Sequence, residues 1–310
     1  MRPFRFGVNL WGAPSRTEWQ DKARKVEDLG FATLTIPDHV TELIAPFPAI
    51  ASAAAVTSRI ELGTNVLNND LRHPVLVARE AATADLLSDG RLLLGLGAGS
   101  IREEYREAGL KFDRGGIRVD RLAEAVAVIK GLLCGDTVTF AGQHYRIDGH
   151  KIAPLPVRKP HPPILIGGNG PRLLALAARE ADIVGLSGIT FRDGGLVRDL
   201  SGWRVAAVDE RIRLIREAAG DRYAGLEICA LLQRVIVTED RCATAEELAR
   251  HWPMLSTEDL LDSPYVLMGT LDQMTADLQA RRARWDISYY VVQEPYLEAL
   301  APVIARLADK

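Results

Sequence analysis

The sequence is poor in the residues that mark several common classes of protein. Its 310 residues include three cysteines, Cys134, Cys229 and Cys242, odd in number and without a Cys-x-x-Cys pair. Neither a disulfide framework nor a cysteine zinc site follows, and the three read as reduced thiols acting as small apolar residues. An excess of positive charge is also lacking. Against 41 Asp+Glu stand 38 Lys+Arg, a net charge of −3, which gives no electrostatic grip on nucleic acid or an anionic membrane. The longest apolar runs, such as Leu92–Leu96, fall far short of the roughly 20 residues of a membrane-spanning helix. The chain enters a strand-like Phe4–Leu10 with no signal-peptide core, so a cytoplasmic location is expected. A Gly-x-Ser-x-Gly elbow, a Walker loop and a Gly-x-Gly-x-x-Gly after the first strand are missing, which argues against a serine hydrolase, a P-loop enzyme and a standard dinucleotide fold. No set of His, Asp and Glu has metal-ligand spacing, so no metal is expected.

What remains is a packed globular chain, 47% hydrophobic and 25% charged, whose natural partner is a small molecule. Short apolar runs alternate with helical patterns. Phe4–Leu10 is followed by Ser15-Arg-Thr-Glu18, a capping box that opens a helix closed by Gly30. Ala32–Ile36 precedes a helix over about Phe47–Thr57, Ile60–Val66 precedes Pro74–Leu87, and Arg91–Leu96 ends in a glycine-rich turn. Arg118–Leu133 is helical by apolar spacing, and Thr137–Ile152 reads as an inserted hairpin turning at Ala141-Gly142. Strands at Pro163–Ile166, Asp182–Leu186, Leu226–Thr238 and Ile287–Val292 complete the set, with helices between them. The strands are nearly continuous apolar runs, the pattern of a parallel sheet buried on both faces. Eight such units without a Pro/Ser/Gly-rich linker predict an α/β fold, a single (β/α)₈ TIM barrel over residues 1–310. The extra length lies in Gly135–His161, Ser187–Arg204 and Cys242–Gly269, excursions expected to cover the active mouth.

Active sites of such barrels lie at the C-terminal ends of the strands. There the chain places Asn9 and Trp11, then Pro37-Asp38-His39, then Asn65 with Asn68-Asn69-Asp70. Gly97-Ala98-Gly99-Ser100 and Gly167-Gly168-Asn169-Gly170 follow, and strand eight ends in Gln293 and Glu294. Gly30, Arg59 and Asp89-Gly90 fall at the opposite rim and read as ordinary turns. Each glycine-rich segment follows a buried strand and precedes a helix, which presents backbone N–H groups to an anion such as a phosphate, and Arg172 lies just beyond the second. Either segment alone is also compatible with a plain tight turn. Asp38-His39 is the only acid–imidazole pair at a strand end, and an imidazole exchanges protons near neutral pH.

Taken in order, Leu62-Gly-Thr-Asn-Val66, Arg72-His-Pro74, Gly90-Arg91, Leu94-Gly-Leu-Gly-Ala-Gly-Ser100, Pro163-Ile-Leu-Ile-Gly-Gly-Asn-Gly-Pro171 and Met268-Gly-Thr270 match one family. The sequence resembles the luciferase-like flavin and deazaflavin oxidoreductases from Phe4 to about Ile304. The resemblance implies a flavin-like ring in the barrel mouth, its phosphate near Gly97–Ser100 and Gly167–Gly170, and a substrate stacked on the ring, with Asn9 and Trp11 as substrate contacts. It also implies a non-proline cis peptide between Asn65 and Val66, the two residues behind the ring. Pro37-Asp38-His39 is similar to the Asp-His pair of the branch that uses coenzyme F420. That implies hydride transfer to or from a small organic substrate, with His39 moving the proton and Asp38 either its partner or a cofactor contact. The alternative is a two-component monooxygenase using reduced FMN from a separate reductase, and a third reading is a non-catalytic flavin-binding protein. Members of the branch acting on glucose 6-phosphate carry an acidic residue directly after the glycine-rich turn and a Trp five positions beyond the Asp. Here those positions are Ser100 and Leu43, so a less polar substrate is implied. The polyglutamate tail of F420 is expected along Arg172, Lys151, Arg158 and Lys159. A homodimer is expected through the alanine-rich helices Phe47–Ser58 and Pro74–Leu87.

Overall fold

The computed structural model describes residues 2–40, 43–192 and 197–308. Eight parallel strands form its centre: β1 (Arg5–Asn9), β2 (Thr33–Ile36), β3 (Glu61–Thr64), β4 (Leu92–Gly97), β5 (Ile164–Gly167), β6 (Ile183–Leu186), β7 (Glu227–Leu232) and β8 (Ile287–Gln293). Neighbours pair in sequence order, β8 pairs with β1, and Leu62 and Gly63 of β3 pair with Leu92 and Leu93 of β4, so the sheet closes on itself as a barrel. Local chemistry sets the helix ends. The Ser15 hydroxyl accepts the Glu18 amide at the start of helix Arg16–Asp28, and Thr270 and Gln273 form a capping box on helix Leu271–Trp285. Pro74 and Pro171 occupy first turns, where a missing N–H costs nothing. The outer layer buries its apolar faces on the barrel in one continuous cluster that runs from Phe4 to Leu307. Among the described residues no helix is long and apolar enough to cross a membrane.

Four local readings are corrected. The run Leu226–Thr238 is two strands: β7 ends at Leu232, and Arg234–Val237 leaves the barrel to pair with Val266–Gly269. Of the excursions, Ser187–Arg204 walls the mouth, although its residues 193–196 lie outside the described residues. Gly135–His161 does not cover it. Its hairpin (Val138–Ala141 with Arg146–His150) is fastened to the outside of helix Gly115–Cys134, where Glu124 accepts the amides of Gln143, His144 and Tyr145. The following segment crosses under the N-terminal rim, where Arg158 pairs with Glu61 at the start of β3 at 2.5 Å. Arg158, with the neighbouring Lys159, is therefore at the wrong end of the barrel to hold a tail leaving the mouth, and Lys151 follows a strand whose last residue pairs back at Val138, just past the helix C-terminus. Finally, Cys229 is buried as a small apolar residue would be, but Cys134 and Cys242 are exposed, since both stand at the ends of surface helices.

Candidate active site

The site begins with what fills the barrel. Side chains alternate inward along each strand, so alternate strands stack their inward residues in layers. At the bottom Arg5 bridges Glu61 and Glu227, each at 2.5 Å, which closes that end with paired charges. Above them Thr33, Leu93, Ile183 and Tyr289 form a dense layer, and the Tyr289 hydroxyl meets Thr33 Oγ1 at 2.5 Å. That ring takes the space above it: a Cβ on Gly7 would lie 2.1 Å from Thr33 Oγ1 and 3.1 Å from the Tyr289 oxygen. Higher up the inward positions turn to glycine, at 95, 97, 167 and 185. The packed core stops there, and a cavity of about 560 Å³ opens with Val66, Gly97, Gly167, Gly185, Cys229 and Leu231 among its lining. The peptide between Asn65 and Val66 is cis, and Val66 stands between Gly97 and Gly167. Burial pushes the Cys229 thiol well above its usual range, so it is an apolar part of the floor.

Asp38 and His39 both line the cavity, but they are not each other's partners. The Asp38 carboxylate is held by Arg72 through both oxygens, at 2.5 and 3.0 Å, and also accepts the Asn68 amide at 3.0 Å. A buried carboxylate so occupied has both oxygens committed to holding the loop. His39 Nδ1 instead meets Glu104 Oε1 at 2.6 Å, and the Glu104 side chain is 8% exposed against 40% for the imidazole. Glu104 comes from the short helix Arg102–Glu107, just past the glycine-rich turn. With Nδ1 committed to the carboxylate, Nε2 is the nitrogen left to exchange a proton.

Gly97, Ala98, Gly99 and Ser100 line one side of the cavity, and Gly167, Gly168, Asn169, Gly170 and Arg172 line another. Gly99 sits at φ +75°, a conformation that suits glycine. Arg118 holds this turn from behind by donating to the carbonyls of Ala98 and Gly99, with its guanidinium 4.1 Å over the Phe112 ring. Asn169 is spent on the wall: its amide donates to Ser187 Oγ and the Ile189 carbonyl, and its oxygen accepts the Gly188 N–H. Two helices, Gly115–Cys134 and Pro171–Glu180, begin at the cavity, and neither has a side-chain cap or an acidic residue in its first turn. Both positive helix ends are thus left for a bound anion. Arg172 crosses the rim between them and pairs with Asp120 at 2.5 Å.

The remaining two sequence-selected residues lie elsewhere. Asn9 is 2% exposed, and its oxygen accepts from Thr35 and from Asn65. Trp11 lines a separate cavity of about 490 Å³ with Ile44, Lys22, Glu294 and Pro295, its backbone N–H bound to Glu294 and its indole N–H to Gln293. Sequence reasoning missed Glu104, Arg72 and Arg118. The signal for Glu104 was present in Arg-Glu-Glu-Tyr directly after a mouth turn, where one face of a short helix must turn inward. Among the described residues no group of three or more His, Cys, Asp or Glu side chains could hold a metal ion.

A family model described as luciferase-like monooxygenase matches residues 3–289. An F420-dependent glucose-6-phosphate dehydrogenase of Nakamurella multipartita is 35% identical over 189 residues, covering 58% of this chain and 55% of that protein. The chain thus spans little more than half the length of this curated relative in the match. Among solved structures, the F420-dependent tetrahydromethanopterin reductase of Methanopyrus kandleri superposes with a TM-score of 0.78 at 18% identity, covering 99% of both chains. A monooxygenase of Streptomyces bottropensis gives 0.74 at 22% identity, covering 98% of both. At these identities the structures establish the barrel.

Proposed function

Since this chain belongs to the luciferase-like monooxygenase family, we propose that it is a coenzyme F420-dependent oxidoreductase acting on a small organic substrate. The observation that carries the reading is the His39–Glu104 pair beside a glycine-floored cavity. The residues fit the group. A planar ring needs a flat wall, and the glycines at 97, 167 and 185 provide one that side chains would close. A phosphate needs donors, and the amides of Gly97–Ser100 and Gly167–Gly170, with two uncapped helix ends, supply them. Bound F420 supplies a ring that carries a hydride. The chain itself handles the proton: Glu104 fixes the orientation of the imidazole through Nδ1, and Nε2 gives or takes the proton that accompanies the hydride. Asp38, locked to Arg72, holds the loop that carries His39. Val66, Cys229 and Leu231 would give the bound ring an apolar floor.

The partial relative named for F420 and the Asp38-His39 motif support F420 over FMN, while the family's monooxygenase members support FMN as the alternative. Ser100 and Leu43 support a substrate less polar than a sugar phosphate. Fluorescence titration tests the cofactor. F420 is expected to bind at least ~10-fold more tightly than FMN, a gap of about 1.4 kcal/mol. Tighter FMN binding, with oxygen-dependent product formation, would reverse the assignment. Leu76, Leu86 and Leu87 on helix Pro74–Leu87 are 44%, 44% and 59% exposed, which supports a homodimer through that face. We place the enzyme in the cytoplasm.

A further inference from the structure

Helix Arg102–Glu107 brings Glu104 to His39, yet it has six residues and no side-chain cap at its start. A helix so short does not hold itself together in water, so something else fixes the carboxylate. The next residue, Tyr105, is 1% exposed, and its hydroxyl lies 2.9 Å from Asn68 Oδ1 and 3.0 Å from Asp70 Oδ2. Burial, and then the Asp70 carboxylate, push this phenol up to about 12, so it keeps its proton and donates. Asp70 is itself held by Arg121 at 2.8 Å, and the Asn68 backbone amide is the one that binds Asp38. On its other side the Tyr105 ring meets Phe112 edge-on at 4.9 Å, beneath Arg118. The glycine-rich turn closes around the hydroxyl: a Cβ on Gly99 would fall 1.9 Å from the Tyr105 oxygen.

We propose that Tyr105 is a positioning residue for the proton-transfer pair: its hydroxyl, held between Asn68 and Asp70, sets the helix so that Glu104 meets His39 Nδ1 and Nε2 stays free. Tyr105 does not line the cavity, so it acts through its neighbours there, and Glu104 is the one that meets His39. Its catalytic importance rests on the role proposed for His39, but the geometry belongs to the cofactor-free protein and can be read there.

Nitrogen-detected NMR of the histidine rings, with His39 assigned through His39→Asn, shows which ring nitrogen carries the proton when the ring is neutral. Wild type is expected to hold it on Nδ1. Glu104→Ala releases that preference, and Tyr105→Phe is expected to raise the Nε2–H form about fivefold, the effect of one lost hydrogen bond. The double variant is expected to match Glu104→Ala. An unchanged tautomer ratio in a Tyr105→Phe protein that melts as wild type does would overturn the proposal, and so would a double variant displaced beyond Glu104→Ala. If Tyr105→Phe does not fold, Asp70→Asn weakens the same hydroxyl contact with the ring retained and is read in the same way. F420 is titrated into each sample. Failure of wild type to bind it refutes the functional reading and leaves the tautomer comparison standing. Normal binding with an unmoved tautomer refutes the positioning role alone.

Discussion

Alanine placed at Gly95 and at Gly185 should separate the stability of the barrel from its ligand binding, although the two glycines point inward from the same level, between Thr35 and Val291. At Gly95 the new Cβ would lie 1.9 Å from the Thr64 carbonyl oxygen and 2.9 Å from its carbon. Both are backbone atoms of β3, so relief requires that strand to move. Overpacking of this kind costs ~1–3 kcal/mol, with the upper end expected where no side chain can yield. At Gly185 the nearest atoms are Leu165 Cδ2 at 3.1 Å and Gly167 Cα at 3.4 Å. A leucine methyl can give by that margin, so the fold should lose under ~1 kcal/mol. Gly185, however, is part of the cavity wall, and a methyl there occupies volume that a planar ring would use. The same ~1–3 kcal/mol then falls on the complex, weakening F420 binding about 5- to 150-fold. Urea denaturation followed by tryptophan fluorescence reads the first effect, and F420 titration reads the second. Gly185→Ala binding F420 within about twofold of wild type would show that no ring lies on this floor. A Gly95→Ala protein as stable as wild type would refute the layered packing itself.

His39→Asn removes the exchangeable proton near neutral pH but keeps a polar side chain, so turnover should fall ~10²–10⁴-fold with cofactor affinity little changed; steady-state kinetics within about threefold of wild type would make His39 structural. Asp38→Asn leaves the Arg72 guanidinium facing a neutral amide, and breaking a buried pair costs ~3–5 kcal/mol. Since Arg72 is 23% exposed, the lower end is expected in denaturant midpoints, and a change near zero would count against the anchoring role. Acid should destabilise the fold through Glu27 and Glu124. Burial alone would raise both, but each accepts three backbone amides, which together hold the carboxyl below its ordinary 4.5. The unfolded chain therefore binds these protons first as pH falls, so the stabilisation is present above about 4.5 and disappears below it. Glu124→Gln should flatten the acid limb of a pH–stability curve, and an unaltered limb would remove Glu124 from the account.

The barrel was legible because its strands carry a signal that survives tertiary context. Runs such as Leu92–Leu96 and Ile287–Val292 are buried on both faces, and capping chemistry at Ser15, Pro74 and Thr270 marks helix starts. Legibility failed where the chain leaves the alternation. Leu226–Thr238 is mostly apolar, and its one internal polar pair, Gln233-Arg234, is too short to announce that one sheet ends and another begins there: Gln233 donates its amide to the Tyr265 carbonyl, a contact 32 residues away. The length of the excursion Gly135–His161 predicts a cover for the mouth, but length carries no direction. Its course is set by Glu124 and by the Arg158–Glu61 pair, both distant in sequence.

The same distinction governs the site. Neighbours in sequence at the end of a strand point to different sides, so Asp38 and His39 could share a cavity without sharing a proton. Each finds its partner across the fold, Arg72 for one and Glu104 for the other, 34 and 65 residues away. The division is chemical as well as geometric. A carboxylate satisfied by a bidentate guanidinium and a backbone amide is fixed in place, whereas a carboxylate that meets one imidazole nitrogen orients the ring and leaves the other nitrogen free. Had Asp38 paired with His39, Arg72 would have lost its counter-ion and Glu104, 8% exposed, would have stood as an unpaired buried acid. The observed exchange of partners leaves neither group stranded. On the proposed function, the second residue of the motif is the one that moves the proton, and the first holds the loop that carries it.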